Sequence, residues 1–216
     1  MIKLFEQFNN EQEIIDICNI YDIENYTINV DGSIDVDGDV DLCDNILSKI
    51  PLLFNKISGN LFIYSCGLKT LEGFPNYIGG DLDISLNNLT SLDGCPEYIG
   101  GSLICYRNKL TSLYGCPNYI KNIHCSNNKI TTLIGIPNIV DGNLTLDENP
   151  ISIIDTSIEV KDKITISYTK FDKKIKSLSR NRLKILFEHG IDYDIFRKDG
   201  SINDSRLERM FKDFNI

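Results

Sequence analysis

Cysteine and histidine are the residue types in this sequence best suited to bind zinc or to act as a nucleophile and its base. The chain has seven cysteines and two histidines, His124 and His189. Zinc needs four converging ligands, and the sequence contains no C-x-x-C pair that would supply two of them. We therefore predict no metal site. The odd number of cysteines favours free thiols in a reducing compartment over a disulfide framework.

Two acid-rich stretches raise the question of calcium binding. An EF-hand loop places acids at positions 1, 3 and 5, glycine at position 6 and glutamate at position 12. In the run DVDGDVDLCD at 35–44, a loop starting at Asp35 would have valine at position 6 and isoleucine at position 12. In 192–204, placing Gly200 at position 6 puts isoleucine at position 1 and arginine at position 12. Both matches fail, so turns and outward-facing acids are predicted instead.

The sequence also lacks the motifs of common catalytic and nucleotide-binding centres, namely G-x-S-x-G, the P-loop and G-x-G-x-x-G. We predict a protein that is not an enzyme and holds no cofactor. The net charge of −9 argues against nucleic-acid binding, which depends on neutralising phosphates, and against anionic membranes. Neither a signal-peptide core nor a run of 18 uncharged apolar residues occurs, so a cytoplasmic location is expected.

The chain repeats itself. LTSLDGCPEYIGG at 89–101 returns with few changes as LTSLYGCPNYIKN at 110–122, 21 residues further on. Repeats at such a period predict a solenoid. Units of 20 or 21 residues can be laid in register, each starting at an apolar residue: Val40, Leu61, Leu82, Leu103, Ile123, Leu144 and Ile164.

Each unit follows the pattern L-x-[L/I/C]-x-x-N-x-L-x-x-L, usually with a later proline and often Gly-Gly. The second apolar position holds Leu42, Ile63, Ile84, Cys105, Cys125, Leu146 and Ile166. Three residues later comes asparagine at 45, 87, 108, 128 and 149, with Cys66 and Thr169 in the two remaining units. The apolar residue two positions further on is Leu47, Leu68, Leu89, Leu110, Ile130, Ile151 or Phe171.

This pattern resembles the leucine-rich repeat, and the resemblance covers residues 40–171. The sequence NNLTSLDGCPEYIGG is similar to short repeats in proteins of bacteriophages and large DNA viruses. The resemblance implies an α/β leucine-rich repeat solenoid with a concave parallel β-sheet. It also implies a protein-binding role without chemistry of its own.

The residues themselves favour the same architecture. L-x-L alternation puts two apolar side chains on one face of a short strand, and stacked copies bury that face in a parallel sheet. A buried asparagine amide can bond the backbone groups left unpaired where the chain turns, and Cys66 can replace it only in part. The Gly-Gly pairs at 79–80 and 100–101 are predicted to supply positive φ for a turn. Lys121-Asn122 replaces such a pair in a shorter unit, where we expect a local irregularity.

The remainder of each unit is too short for a helix and its prolines oppose one, so the convex side is predicted to be irregular, as extended chain or a single 3₁₀ turn. Helical caps are predicted at both ends of one domain. Residues 1–39 combine helical spacing at 10–21 with a hairpin signal around Asp31-Gly32. Residues 172–216 contain two amphipathic helices, the second with an N-cap at 203 or 204.

The repeat register accounts for several cysteines. Cys105 and Cys125 occupy the same inward position on neighbouring strands, about 4.8 Å apart. Cys95 and Cys116 stack in the same way on the convex side. His124 should point outwards while Cys125 points inwards, so a catalytic Cys–His pair is not expected. A packing role is predicted for these thiols.

The side chains that should face outwards from the concave sheet are unusual for a solvated surface. Apolar and cationic residues cluster across units two to five, and acids flank them at Asp41, Asp83, Asp147 and Glu148. Exposed apolar patches mark binding sites, and Tyr, Phe and Arg are typical interface residues. The alternative is that aromatic residues simply favour strands and pack on each other. The predicted protein-binding residues are Phe62, Tyr64, Ser85, Leu86, Ile104, Tyr106, Arg107, His124 and Asn127.

The sequence therefore predicts a module that recognises another protein through its concave sheet. If the source is viral, as the resemblance implies, the partner would be a host factor that the protein inhibits, such as a defence protein. The alternative is a structural or assembly protein that uses the same face for self-association or virion contacts. The basic stretch from Lys170 to Lys184 is expected to be a solvated helix face, with an acidic partner as its alternative.

Overall fold

The computed structural model describes residues 11–47, 49–133, 135–151, 159–161, 163–165 and 202–216, together with residues 179, 182, 185, 186, 189, 190, 193 and 195. Helix α1 spans Glu11–Ile20 and helix α2 spans Asp204–Asp213. Between them the chain forms a parallel β-solenoid in which each repeat contributes two short strands. In the described part of the chain, no helix has the length and apolar content that a bilayer span requires.

The first strand of each repeat joins a seven-stranded parallel sheet, here called the front sheet. Its strands are β3 (Val40–Asp41), β5 (Leu61–Phe62), β7 (Leu82–Asp83), β9 (Ser102–Ile104), β11 (Asn122–His124), β13 (Asn143–Thr145) and β15 (Lys163–Thr165). The strands neighbour one another in this same order. The register aligns Val40 with Leu61, Leu61 with Leu82, and so on to Ile164. The residues aligned in this register are those from which the seven units were counted in the sequence.

The opposite side of the repeats, predicted to be irregular, instead carries a second set of strands, here called the back strands. One sheet contains β1 (Tyr26–Ile28), β2 (Ile34–Val36), β4 (Phe54–Ile57), β6 (Tyr77–Ile78) and β8 (Tyr98–Ile99). Another contains β10 (Tyr119–Ile120), β12 (Ile139–Val140) and β14 (Glu159–Val160). The chain is extended here, as expected. Because equivalent segments lie side by side, their backbone groups pair with one another and form regular ladders.

Apolar side chains fill the space between the front and back strands. The second apolar position of the repeat is fully buried in every described unit, from Leu42 to Leu146. Ile166, Thr169 and Phe171 lie outside the described residues. One hydrophobic cluster contains these side chains, residues of α1 such as Ile14, and residues of α2 such as Phe211. The solenoid and both helices therefore share a single core.

The two ends contain the elements that their local sequence predicts. Strands β1 and β2 form an antiparallel hairpin, and Gly32 at its turn has a φ of 80°. Helix α2 begins after Asn203, whose side chain accepts a hydrogen bond from the backbone N–H of Arg206. The other predicted C-terminal helix and the stretch from Lys170 to Lys184 fall largely outside the described residues.

The Gly-Gly pairs form corners between back and front strands, but the predicted reason for glycine was wrong. Neither Gly79-Gly80 nor Gly100-Gly101 is among the glycines with positive φ. A Cβ atom added to Gly79 would lie 2.1 Å from the carbonyl oxygen of Ser58, and one added to Gly100 would lie 2.1 Å from that of Gly79. Glycine is required because successive turns approach too closely to admit a side chain.

The irregularity predicted at Lys121-Asn122 is confirmed. Asn122 pairs in register with Ser102, which lies 20 residues earlier and not 21. The corner between the back and front strands of this repeat is therefore one residue shorter than in the preceding repeat. The front sheet continues from β9 to β11 without interruption. The back strands β8 and β10, in contrast, belong to separate sheets. The shortened corner thus interrupts the back ladder and leaves the front sheet intact.

Buried asparagines join each turn of the solenoid to the one before it. The Oδ1 atom of Asn108 accepts a hydrogen bond from the N–H of Leu89 (3.0 Å), and its Nδ2 donates to the carbonyls of Ile84 (2.9 Å) and Cys105 (3.2 Å). The same bonds recur one turn earlier at Asn87 and later at Asn128 and Asn149. The predicted asparagine ladder is confirmed.

Cys66 takes the place of asparagine in the second repeat. Its Sγ lies 3.0 Å from the carbonyl oxygen of Leu42 and 3.2 Å from that of Tyr64, but its single S–H can donate to only one of them at a time, whereas an amide nitrogen has two hydrogens. The N–H of Leu47, whose equivalents in later repeats donate to an asparagine Oδ1, donates instead to the backbone carbonyl of Cys66 at 3.0 Å. The prediction that Cys66 replaces asparagine only in part is confirmed.

We expect the substitution Asn108→Ala to lower the free energy of unfolding by about 1–3 kcal/mol, because it leaves the buried N–H of Leu89 without a partner. The carbonyls of Ile84 and Cys105 still accept from the amides of Asn87 and Asn128. Urea denaturation followed by circular dichroism measures this loss of stability. Asn118→Ala is the control, since Asn118 is exposed, and its effect should stay within about 0.5 kcal/mol. Equal effects of the two substitutions would contradict a structural role for the ladder.

Candidate functional site

The outward side chains of the front sheet form a cluster on neighbouring repeats. Phe62 and Ile104 follow the first core residue of their strands, and Tyr64 and Tyr106 follow the second. All four are partly exposed, whereas the core residues between them are fully buried. Leu86 is 39% exposed and Arg107 is exposed. These residues are here called the front patch: Phe62, Tyr64, Leu86, Ile104, Tyr106 and Arg107.

Leu86 and Arg107 occupy a position with left-handed backbone conformation. The residue before the ladder position has a φ of 52–59° in every repeat from Asp44 to Glu148. L-residues other than Asn, Asp and Gly adopt this region at a cost of about 1–2 kcal/mol. Asp44 and Asn127 suit it, whereas the serine, leucine, arginine and glutamate that occupy the other repeats do not. Backbone preference therefore does not select leucine at position 86 or arginine at position 107.

Ser85 was predicted to be exposed on the front sheet, but it is buried. Its exposed fraction is 1%, and its Oγ is buried without a hydrogen-bond partner. The register places Tyr64 and Tyr106 at the equivalent positions on either side of it. Adjacent strands lie about 4.8 Å apart, so a small side chain between two tyrosines is easily covered. Ser85 thus lies beneath the surface of the front patch.

His124 and Asn127 lie at the margin of the cluster. His124 is partly exposed on β11. Asn127 is exposed, but its Nδ2 donates to Oε2 of Glu148 at 2.7 Å, so its amide already bonds to the next repeat. The apolar part of the predicted surface is therefore concentrated in the second to fourth repeats.

Carboxylates lie within and beside the front patch, and two of them make the same local bond. Oδ1 of Asp83 accepts from the N–H of Ser85, and Oδ1 of Asp41 accepts from the N–H of Cys43, both at 2.9 Å. On the far side, Oδ1 of Asp147 is buried and has no hydrogen-bond partner. Asp83 thus lies within the patch, between Phe62 and Ile104, while Asp41 and Asp147 lie towards its two ends.

Several cysteine thiols have raised pKa values. Burial, assisted by a hydrogen bond with Asp41, raises the pKa of Cys43 to about 12. A hydrogen bond with Cys125 and burial raise the pKa of Cys105, and burial raises those of Cys95 and Cys116. A thiol with a raised pKa stays protonated at neutral pH and is a poor nucleophile. Among the described residues, no group of three or more His, Cys, Asp or Glu side chains could hold a metal ion.

Sequence reasoning missed a tyrosine column on the back strands. Tyr77, Tyr98 and Tyr119 are 37%, 48% and 49% exposed. The rings of Tyr77 and Tyr98 are stacked, with centroids 4.8 Å apart and planes at 9°, and Lys56 Nζ lies 4.9 Å from the Tyr77 centroid. The Tyr-Ile dipeptide that recurs every 21 residues was the sequence pattern from which this column could have been predicted. Tyr77 and Tyr98 pack on each other and Tyr119 hydrogen-bonds with Asp141, so contacts within the protein account for these tyrosines.

A second polar ladder was also missed, at the corner preceding each front strand. The backbone N–H of Asn60 donates to Oδ1 of Asp39, and that of Asp81 donates to Oδ1 of Asn60, both at 2.7 Å. The N–H of Ser102 donates to Oδ1 of Asp81 at 2.6 Å. The recurrence of Asp, Asn or Ser just before the first six repeat starts was the sequence pattern that could have predicted this ladder. Asp39 of the acidic run at 35–44 is thereby given a structural role.

Comparison of the chain with protein-family models, with curated proteins and with solved structures finds no match in any of the three.

We expect Ser85→Ala to raise the free energy of unfolding by about 1 kcal/mol, because it removes a buried hydroxyl that has no partner. Ser33→Ala is the matched control. Ser33 is also buried, but its Oγ donates to Asp31 and accepts from Asn29, so this substitution should destabilise by about 1 kcal/mol. Chemical denaturation of both variants measures the two changes, and destabilisation by Ser85→Ala would show that its hydroxyl is satisfied in the free protein.

Proposed function

We propose that this protein is a non-enzymatic binding module of the leucine-rich repeat type that recognises another protein through the front patch. The observation that carries the proposal is the placement of partly exposed Phe62, Tyr64, Ile104 and Tyr106 on the β5 and β9 repeats, on either side of β7, with Leu86 and Arg107 beside them in an unfavourable backbone conformation. Apolar and aromatic side chains grouped in this way are characteristic of interface centres.

The size of the patch suits a protein partner. A fully buried aromatic side chain removes about 150–250 Å² from water, and an ordinary interface removes about 800 Å² on each side. Three aromatic and two aliphatic side chains, already partly covered, supply the central portion of such an area. The acids around the patch would then form the polar rim that surrounds most interface centres.

A comparison between the two sides of the solenoid supports this choice. On the back strands, Tyr77 and Tyr98 stack face to face. On the front sheet, Tyr64 and Tyr106 are separated by the β7 strand, which carries the small Ser85 at the equivalent position. Mutual packing of neighbouring rings therefore explains Tyr77 and Tyr98 on the back strands and does not explain the front patch.

The resemblance of the repeats to those of bacteriophage and large DNA virus proteins suggests the biological setting. In that setting the module would act in the host cytoplasm, and its partner would be a host factor, such as a defence protein, that it inhibits. Self-association or virion assembly through the same face is the competing function.

The test is capture of partners from a lysate of the cells that naturally make the protein, comparing wild type with Tyr64→Ala/Tyr106→Ala. We expect the partner to bind the wild type and to be reduced at least tenfold on the variant, because two interface aromatic residues together contribute over 1.4 kcal/mol. Tyr98→Ala/Tyr119→Ala is the control, since it removes two rings from the back strands, and it should retain the partner.

Light scattering of the purified wild type distinguishes the competing function. A monomer favours recognition of a different protein. A concentration-dependent oligomer that the Tyr64→Ala/Tyr106→Ala variant abolishes would instead assign the front patch to self-association. Equal capture by both double variants would remove the front patch as the recognition surface.

A further inference from the structure

We propose that the front patch contains a slot for one arginine side chain of the partner, between Tyr64 and Tyr106, above Ser85 and beside Asp83. This inference rests on the proposed protein-binding function and specifies the chemistry of the partner. Its components are a buried hydroxyl without a partner, a carboxylate that makes no ion pair with any residue in the described ranges, and two aromatic side chains on the flanking repeats.

The register of the front sheet creates the slot. Ser85 on the β7 repeat is flanked by Tyr64 on the β5 repeat and by Tyr106 on the β9 repeat. The two tyrosines are thus two strand spacings apart, roughly 9–10 Å at the backbone. Stacked planar groups have centroids about 4.5 Å or more apart, so one planar group between the two rings takes up this distance.

The base of the slot lacks a hydrogen-bonding partner. Ser85 is 1% exposed and its Oγ has no partner. A buried polar atom without a partner is rare in folded proteins and calls for an explanation. A donor that reaches Oγ from a bound partner would satisfy this atom without any change in the backbone.

Asp83 supplies the charge. It lies two residues before Ser85 and therefore on the same face of the strand. Its Oδ1 accepts from the N–H of Ser85, which fixes the carboxylate beside the serine. Asp83 makes no ion pair with a described residue, and a carboxylate has acceptor capacity beyond one bond.

Arginine fits these three components better than other side chains do. Its guanidinium group is planar, stacks on aromatic faces and carries five N–H donors, enough to reach the hydroxyl and the carboxylate together. Lysine lacks the planar group, and neutral side chains would leave the carboxylate unpaired. Arg107 is the cation of the front patch, and Asp41, Asp44 and Asp83 outnumber it on this part of the sheet.

The slot is closed in the free protein, because Ser85 is covered. The side chain of Tyr64 makes a hydrogen bond with Cys43, on the side away from Ser85. Tyr106 is partly exposed and not part of the core, so rotation of its ring can uncover Ser85 without disturbing the core. Entry of the guanidinium therefore requires a side-chain rearrangement, which is common at protein interfaces, and no backbone movement.

The test is an NMR titration of the full-length protein with N-acetyl-L-arginine amide. We expect saturable shifts of the backbone amides of Tyr64, Ser85 and Tyr106, with a dissociation constant on the order of 1 mM, as befits so small a ligand. N-acetyl-citrulline amide, which has a similar shape but no charge, should give no saturable shift. Absence of saturable shifts with the arginine probe, or equal shifts with both probes, would overturn the proposal.

Two matched variants separate the slot from a general attraction to acids. Asp83→Asn keeps an oxygen that can accept the Ser85 N–H, removes the charge, and should weaken the arginine probe roughly tenfold. Asp41→Asn removes an equivalent charge with an equivalent backbone bond, but Asp41 lies on the edge strand β3 without aromatic walls on both sides. It should leave the affinity unchanged. Equal weakening by both variants would indicate a diffuse acidic surface.

Failure of the slot and failure of the proposed function give different results. If the partner is lost on Tyr64→Ala/Tyr106→Ala but retained on Asp83→Asn, the front patch binds a protein and the arginine slot is wrong. If the arginine probe binds as described but the partner is retained on both variants, the slot exists and the proposed recognition surface is wrong. Loss of the partner on Asp83→Asn, with retention on Asp41→Asn, supports both.

Discussion

The buried asparagine amide is the interaction on which the rest of this solenoid depends. Each short front strand ends in a turn whose backbone groups are enclosed by the core and cannot reach water. One amide bonds an N–H of the preceding repeat and carbonyls of both repeats, as the bonds of Asn108 to Leu89, Ile84 and Cys105 demonstrate. An enclosed polar group without a partner is costly, so the turn and the amide are tolerated only together.

The ladder also determines where the outward side chains lie. Because every repeat is bonded to its neighbour in a fixed register, equivalent residues form columns about 4.8 Å apart. The placement of Ser85 between Tyr64 and Tyr106, and of Asp83 beside it, follows from this register and not from any contact between those side chains. A surface for recognition is thus a direct product of the bonds that hold the core together.

Much of this arrangement could be predicted from the sequence, because the hydrogen bonds and burial recur with the same period as the residues. The repeat starts, the inward positions and the asparagine ladder follow from that period. The back ladder could not be predicted in the same way, since Tyr-Ile is too short a signal to distinguish paired strands from isolated extended chain. The reason for glycine at positions 79 and 100 could not be predicted either. It is the short distance between successive turns, which the spacing of residues along the sequence does not give.

The candidate site was predicted less well than the fold. Alternation along a strand predicts which side chains face outwards, and it placed Tyr64 and Tyr106 correctly. It does not predict whether a larger neighbour covers a small outward residue, which is why the burial of Ser85 was missed. The left-handed backbone at Leu86 and Arg107 likewise follows from how the strand ends. The residues at this position of the repeat are of six different types, so their sequence does not predict the conformation.

The nearest-neighbour pattern of bonds has a consequence for how such a chain can evolve. The ladder atoms of Asn108 reach the preceding repeat and no other. Duplication or loss of one 21-residue segment would therefore leave every remaining bond intact and would change the length of the front sheet by one strand. Recognition could be retuned one column at a time by point changes at outward positions, while the number of repeats sets how long a partner the surface accommodates.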